Sequence, residues 1–276
     1  GLCEGAFAAI RFIPLRNEVR GNMKVVVIIP SRYQSSRFMG KPLADVLGKP
    51  MIQHVYERVL LAKTASMAAV ATDDRRIFEA VEKFGGRVIL TSPDHPSGTD
   101  RIAEAVKTLG VADTDIVVNI QGDQPTFEPS QIDEVVQPLL EDATVDFSTL
   151  IYRIRRDEEI TDPNAVKVVF DRDHFALYFS RSTIPFVRDR GKRADYWKHH
   201  GIYAYRKSFL IAFTKLPQGT LEKLEALEQL RALEHGYRIK VVETEFDSIE
   251  VDTPADLERV RTLVAAQNAR RAHEDH

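Results

Sequence analysis

The chain has one cysteine, Cys3, among 276 residues. A lone thiol excludes an internal disulfide framework and any metal site built from several cysteines, and it suits a reducing compartment. No apolar run reaches bilayer-spanning length. The leading residues lack a basic start followed by a continuous apolar region, so they do not read as a signal peptide. A basic surplus is missing too: 38 Lys+Arg stand against 41 Asp+Glu, a net charge of −3. General nucleic-acid binders are ordinarily basic. Around the one cationic loop only Tyr33 and Phe38 offer ring faces for stacking, so nucleic acid is not an expected partner. What is present is 43% hydrophobic and 29% charged residues, the balance of a chain that buries a core. The length suits one large α/β domain or two small ones.

Residues 1–22 precede Met23 and read as an added or upstream-start extension. From Lys24 the pattern becomes regular. Lys24–Pro30, Met67–Ala71, Arg87–Leu90 and Ile116–Ile120 read as buried strands. Helical spacings over Met51–Ala62, Ile77–Phe84, Arg101–Leu109 and Pro129–Leu140 alternate with them. Four such alternations predict an α/β fold with a doubly wound, mostly parallel sheet, whose ligands sit at the carboxyl ends of the strands. The rhythm then changes. Phe147–Arg153, Val166–Phe170, Ala176–Phe179 and Gly201–Tyr205 read as strands joined by polar turns, an inserted antiparallel sub-sheet over about 145–205. A long helix is expected over Leu221–His235, a strand over Ile239–Val242 and a final helix over Pro254–Ala266. The expected organisation is a single domain over 23–266 with a frayed charged tail over 267–276.

The polar segments fall where the fold class puts ligands. Arg32, Arg37 and Lys41 follow the first strand at spacings that let them converge on one anion, with Gly40 permitting close backbone approach. The loop is no Walker A motif, since Pro42 follows Lys41. A solvated basic loop is the plainer alternative. Asp123, after the turn at Gly122, fits a Mg²⁺ ligand or a turn residue before Pro125. Asp252 lies just outside a helix start, with Thr253 as N-cap and Pro254 at the first helical position; metal binding and plain capping both fit. Ser97, Gly98 and Thr99 open a helix, either as an anion-binding start or as an ordinary cap. Arg181, His199 and His200 follow short strands and could grip a carboxylated substrate or serve as surface hydrogen-bonders.

Taken together, IPSRYQSSRFMGKPL, ATDD, HPSGTDR, NIQGDQP, DPNAVKVV, ALYFSRSTIP, HHGIYAYR, LEALEQLRAL and VDTPADLERV resemble the 3-deoxy-D-manno-octulosonate (Kdo) cytidylyltransferases, in order, from Lys24 to about Val264. The sialic-acid cytidylyltransferases match the ALYFSRSTIP and LEQLRAL stretches much less. The resemblance implies transfer of CMP from CTP to Kdo with release of pyrophosphate, with Mg²⁺, for lipopolysaccharide synthesis in the cytoplasm by a homodimer. It implies Arg32, Arg37 and Lys41 on the triphosphate, and Asp123 and Asp252 as catalytic metal ligands. It also implies Ser97, Gly98 and Thr99 by the nucleotide, and Gln121, Arg181, His199, Tyr203, Glu228 and Gln229 around the sugar acid. His199, rather than His200, matches the family's histidine before GIY, and Arg181 is the expected partner of the Kdo carboxylate. One departure is Gln124, where the family usually carries an acid. The rival readings are a nucleotidyltransferase for sialic acid, amino-Kdo or a sugar phosphate, and a non-catalytic binding protein on the same fold.

Overall fold

The structure is a computed structural model and describes residues 23–34, 38–189, 191–192, 194–247 and 249–274, those from 267 onward by backbone alone. The expected extension over 1–22 therefore lies outside the described residues. The chain begins with β1 (Val25–Ser31), a 3-10 turn (Lys41–Leu43), β2 (Asp45–Val46), β3 (Lys49–Pro50), α1 (Met51–Val59), β4 (Met67–Thr72) and α2 (Arg75–Lys83). It continues through β5 (Val88–Leu90), α3 (Gly98–Thr108), β6 (Ile116–Asn119), α4 (Ser130–Glu141), β7 (Phe147–Arg153) and α5 (Asp157–Thr161). The remainder is β8 (Lys167–Phe170), β9 (Ala176–Ser180), β10 (Trp197–Arg206), α6 (Lys207–Phe213), α7 (Thr220–Glu225), α8 (Leu230–Glu234), β11 (Lys240–Thr244) and α9 (Pro254–Glu274).

Every residue of β1 is buried. Successive side chains of a strand point to opposite faces. Accordingly Val25, Val27 and Ile29 join one core layer with Ile52 and Val55 of α1 and Val135 and Val136 of α4. Val26 and Ile28 join another with Ile102 and Val106 of α3 and Phe209 and Phe213 of α6. A strand covered on both faces needs this unbroken apolar run, which is why the alternation of polar and apolar residues is missing from it.

The sheet runs β11-β7-β10-β6-β1-β4-β5, with β8 and β9 off this path. The joints of β1 to β4 and β6, of β4 to β5 and of β7 to β11 are parallel. β10 runs antiparallel to both β6 and β7, so it joins the two parallel groups. The doubly wound expectation holds, with a refinement of the insertion. β7 and β10 belong to the main sheet, and only the antiparallel β8–β9 pair projects from it. The register of β10 against β6 runs from Arg206 opposite Ile116 to Tyr203 opposite Asn119. Residues of β10 before Tyr203 therefore reach past the carboxyl end of β6, over the ligand-binding edge.

Two expected helices come out differently. Leu221–His235 is α7 and α8 separated by a break, with Ala226 in the left-handed region at φ 51°. The last carbonyls of a helix need partners, and here Arg181 supplies them: its Nε donates to the Glu225 carbonyl (2.7 Å) and its terminal nitrogens to those of Pro163 (3.0 Å) and Ala226 (3.4 Å). The final helix continues past Ala266 to Glu274 instead of fraying at 267. No glycine or proline follows Pro254 to stop it. Elements without a strong periodic signal, the β2–β3 hairpin, α5 and α6, complete the description.

A small third cluster fixes the far end of the chain onto the near end. Val46 and Met51 pack with Val251, Leu257, Val260 and Val264, and Arg261 donates to the Asp45 carbonyl (3.0 and 2.7 Å).

Candidate active site

The loop after β1 and the turn after β6 meet backbone to backbone. A Cβ on Gly122 would stand 2.5 Å from Ser31 Oγ and 3.3 Å from the Pro30 carbonyl oxygen, so only glycine permits this approach. Gly40, at φ 72°, turns the loop into the 3-10 helix that starts at Lys41. Lys41 Nζ then lies 2.7 Å from Asp123 Oδ2 and 3.4 Å from Asp252 Oδ1. The Val251 N–H donates to the Asp123 carbonyl (2.9 Å), which ties the segment after β11 to the turn after β6.

These contacts decide between readings that the sequence leaves open. Thr253 caps α9: its Oγ accepts from the Asp256 N–H (3.2 Å), while the Asp256 carboxylate accepts from the N–H of Thr253 (3.0 Å). Asp252 is thereby released from capping, and its carboxylate faces Lys41. Asp123 likewise points at Lys41. Ser97 is the N-cap of α3, accepting from the Asp100 N–H, and it lines the cleft as well.

A cleft of about 410 Å³ opens at this edge, lined by Arg32, Lys41, Ser97, Gly98, Arg101, Gln121, Asp123 and Asp252 among others. Arg32 is exposed and its guanidinium donates to the His95 carbonyl. Arg37 lies outside the described residues. Arg101, fully buried, was not singled out from the sequence; it pairs with Asp73 (3.4 Å) and donates to Thr91 Oγ, with its other face on the cleft. Its place at the end of the HPSGTDR motif was the signal available.

A second cavity of about 680 Å³ includes His199, His200, Lys198, Glu159, Asp247, Glu250 and Asp252 in its lining. Asp252 lines both spaces, so they meet at the carboxylate that faces Lys41. Both volumes lie in the range that takes small ligands, roughly 300–1,000 Å³.

His199 lines the second cavity, its ring 5.3 Å from that of Tyr203, while Glu228 lines a further cavity together with Ser97. Burial, with His200 adding a smaller push, lowers the His199 imidazole to about 3, so it is neutral. A bulge in β10 between His200 and Tyr203 leaves the carbonyls of His200 and Ile202 3.1 and 2.9 Å from Thr149 Oγ. The Thr149 hydroxyl donates to one of these carbonyls and accepts from His199 Nε2 (3.0 Å). That fixes the tautomer and leaves His199 Nδ1 as an acceptor. Burial and the Glu228 charge hold the Tyr203 phenol far above its usual range, so it remains a donor, toward Gln229 Oε1 at 3.5 Å. Thr99 Oγ donates to Glu228, whose carboxyl is raised by burial. Gln121 Nε2 donates to Asn119 Oδ1 (3.1 Å).

Arg181 stands apart from this group. Its guanidinium is occupied by the carbonyls of Glu225 and Ala226 at the α7–α8 break and of Pro163 in the loop after α5, and its own N–H donates to Glu225 Oε2 (2.9 Å). The guanidinium expected on a sugar carboxylate here braces the α7–α8 break, after which Glu228 and Gln229 follow. Arg181→Ala should raise the KM of the sugar acid about 10-fold while that of CTP changes less than about 2-fold. An equal rise for both, in steady-state kinetics, would remove Arg181 from the acceptor side.

Glu250 was missed by the sequence reading. It stands two residues before Asp252, and both line the second cavity; that spacing was the usable signal. Its Oε1 accepts from Gln124 Nε2 (3.1 Å). Enclosure by the protein, followed by the Asp123 charge, pushes its carboxyl upward. Among the described residues no three acidic or histidine side chains lie close enough to ligate one ion together.

Comparison with known proteins agrees with this geometry. The family model described as cytidylyltransferase matches residues 26–240. A 3-deoxy-manno-octulosonate cytidylyltransferase of Syntrophus aciditrophicus is 68% identical over 87% of this chain and 97% of that protein. An 8-amino-3,8-dideoxy-manno-octulosonate cytidylyltransferase of a Shewanella species is 56% identical over 88% of this chain and 99% of that protein. The solved structure of CMP:2-keto-3-deoxy-manno-octonic acid synthetase complexed with CTP superposes with a TM-score of 0.84, at 45% identity, over 88% of this chain and 99% of that one. With its parallel sheet, its cationic loop and its paired aspartates, this chain belongs to the cytidylyltransferase family.

Proposed function

We propose that the chain transfers CMP from CTP to a Kdo-type eight-carbon sugar acid, releasing pyrophosphate. The observation that carries this reading is the junction of two cavities at Asp252, with Lys41 and Asp123 beside it. The cationic cleft suits the triphosphate, and the second cavity, with neutral His199, suits a polyhydroxylated acceptor. The anomeric oxygen forms a bond to the α-phosphorus as the bond to pyrophosphate breaks; the leaving group takes the electron pair and the hydroxyl proton passes to solvent. Such transfers depend on positioning and charge stabilisation, and no protein nucleophile is needed.

Arg32, Arg37 and Lys41 would offset the charge that grows on the leaving pyrophosphate. The main chain at Ser97, Gly98 and Thr99, at the start of α3, would lie against the nucleotide. Asp123 and Asp252 suit a hard divalent cation: their oxygens already share one cation, the Lys41 ammonium. Mg²⁺ held there supplies Lewis-acid polarisation of the phosphates. His199 Nδ1 would accept from a sugar hydroxyl, and Tyr203, Gln121 and Gln229 would orient the ring. Lipopolysaccharide synthesis in the cytoplasm by a homodimer completes the reading; no helix among the described residues is long and apolar enough to cross a membrane.

The test is pyrophosphate release from CTP and Mg²⁺ with Kdo, its 8-amino form, sialic acid or no acceptor. Release is expected only with a Kdo-type acid, and it should collapse when UTP or ATP replaces CTP. Folded protein that binds CTP but releases nothing with any acceptor would make it a binding protein.

A further inference from the structure

We propose that Thr149 is a positioning residue for the sugar acid: its hydroxyl keeps the His199 proton on Nε2, so that the bare Nδ1 takes a group that can donate, a hydroxyl, and turns away a fluorine or a keto oxygen. The inference rests on the cytidylyltransferase reading and adds to it a residue and a selection rule.

The backbone makes the arrangement. β7 and β10 pair His200 with Leu150 and then Tyr203 with Thr149. The step is three residues on β10 against one on β7, so Gly201 and Ile202 are extra. Such bulges re-aim the groups beside them. Here the carbonyls of His200 and Ile202 both meet Thr149 Oγ, at 3.1 and 2.9 Å. Thr149 is fully buried, so its hydroxyl must find its partners inside the protein.

That hydroxyl has one proton and three neighbours. Two of them, the carbonyls, can only accept. Giving the proton to His199 Nε2 (3.0 Å) would set both carbonyl oxygens against hydroxyl lone pairs. Giving it to a carbonyl leaves a lone pair for the His199 N–H, and the conflict disappears. The imidazole does not evade the choice by taking a second proton, because burial holds it neutral. Phe179, edge-on at 5.2 Å, and Tyr203, at 5.3 Å, pack against the ring.

The consequence appears on the other nitrogen. His199 lines the second cavity, and its Nδ1 has no hydrogen-bond partner among the described residues. A hydroxyl satisfies a bare nitrogen by donating to it. A fluorine or a keto oxygen in the same place sets lone pairs against a lone pair. A site built to bond a substrate hydroxyl rejects the analogue without it, because its own polar atom stays unpaired. With the proton on Nδ1 instead, the ring would donate to any of these groups. The selection therefore belongs to the Thr149 hydroxyl and not to the imidazole alone. Valine keeps the shape of Thr149 and removes the hydroxyl; serine keeps the hydroxyl.

The experiment measures kcat/KM, at saturating CTP and Mg²⁺, for Kdo and for analogues in which one hydroxyl at a time is replaced by fluorine. The chains are wild type, Thr149→Val and Thr149→Ser. Nitrogen NMR of the imidazoles runs alongside, with the His199 signals identified as those absent from His199→Asn. In wild type Nδ1 should give the signal of a bare, pyridine-type nitrogen, and one analogue should be used at least about 10-fold less well than Kdo. Thr149→Val should move the proton to Nδ1 and shrink that one gap to less than about 3-fold, with the KM of CTP within about 2-fold of wild type. Thr149→Ser should behave as wild type. A protonated Nδ1 in the wild-type chain overturns the inference, as does a gap that valine leaves unchanged or serine fails to restore. If Thr149→Val does not fold, the wild-type spectrum and the fluorine series decide: a bare Nδ1 with a rejected analogue supports the inference, and the lack of either overturns it. No turnover of Kdo or any analogue, from a chain whose spectrum shows the bare Nδ1, overturns the cytidylyltransferase reading and leaves the hold of Thr149 on His199 standing.

Discussion

Asp123→Asn and Asp252→Asn should each lower kcat/KM by about 10³-fold, equivalent to about 4 kcal/mol of transition-state stabilisation. An amide keeps the volume and removes the charge, so the loss isolates the electrostatic role. The fold should survive. The tie between the two segments is made by the Val251 N–H and the Asp123 carbonyl, which either substitution leaves in place. Both side chains are partly exposed, 26% and 42%, so neither fills a core position. The check is steady-state kinetics across a Mg²⁺ titration, with Mn²⁺ affinity by paramagnetic resonance and a melting curve alongside. Turnover restored to near wild type by excess Mg²⁺ would take both residues off the metal.

The other large effect concerns stability. Arg231 and Glu222 have side chains 6% exposed and join through Nε–Oε2 at 2.8 Å and a second contact at 2.5 Å. Glu222→Ala takes the two-point carboxylate from a buried guanidinium and leaves it only Glu228, 3.7 Å away, at a cost of about 3 kcal/mol. For a chain of this size that corresponds to a fall in Tm of roughly 10 °C. Replacing both partners with apolar residues of similar volume should recover most of the loss, because a matched pair brings little net gain over good packing. The pair links α7 to α8, and Glu228 and Gln229 lie between them, so the single variant should also raise the KM of the acceptor. A Tm within 2 °C of wild type by scanning calorimetry would show that water already reaches the pair.

Much of the fold was readable because the signals were strong. The apolar run of β1 carries the burial pattern of a two-sided sheet, and Thr253-Pro254 marks the start of α9 as the capping contacts show. The break at Ala226 was not readable. A left-handed alanine has no compositional mark, and the carbonyls at the break meet Arg181, distant in sequence. The site divides in the same way. Lys41, Asp123 and Asp252 stand out because each follows a strand or precedes a helix at the ligand-binding edge. That Arg181 meets main-chain carbonyls at the α7–α8 break was not readable, since a motif shows residue type and not what the guanidinium meets. Thr149 was missed because its contacts come from a bulge in β10 that pairing alone creates.

The placement of β10 also sets an order of events during synthesis. β6 and β7 never pair directly; β10 lies between them, and its last residue is Arg206. A ribosome-bound chain can assemble β5, β4, β1 and β6 early, but the sheet stays in two parts until residue 206 has emerged. Such non-local pairing delays folding. Asp252 arrives later still, after β11. A chain cut short by stalled translation before β11 therefore has Lys41 and Asp123 without Asp252.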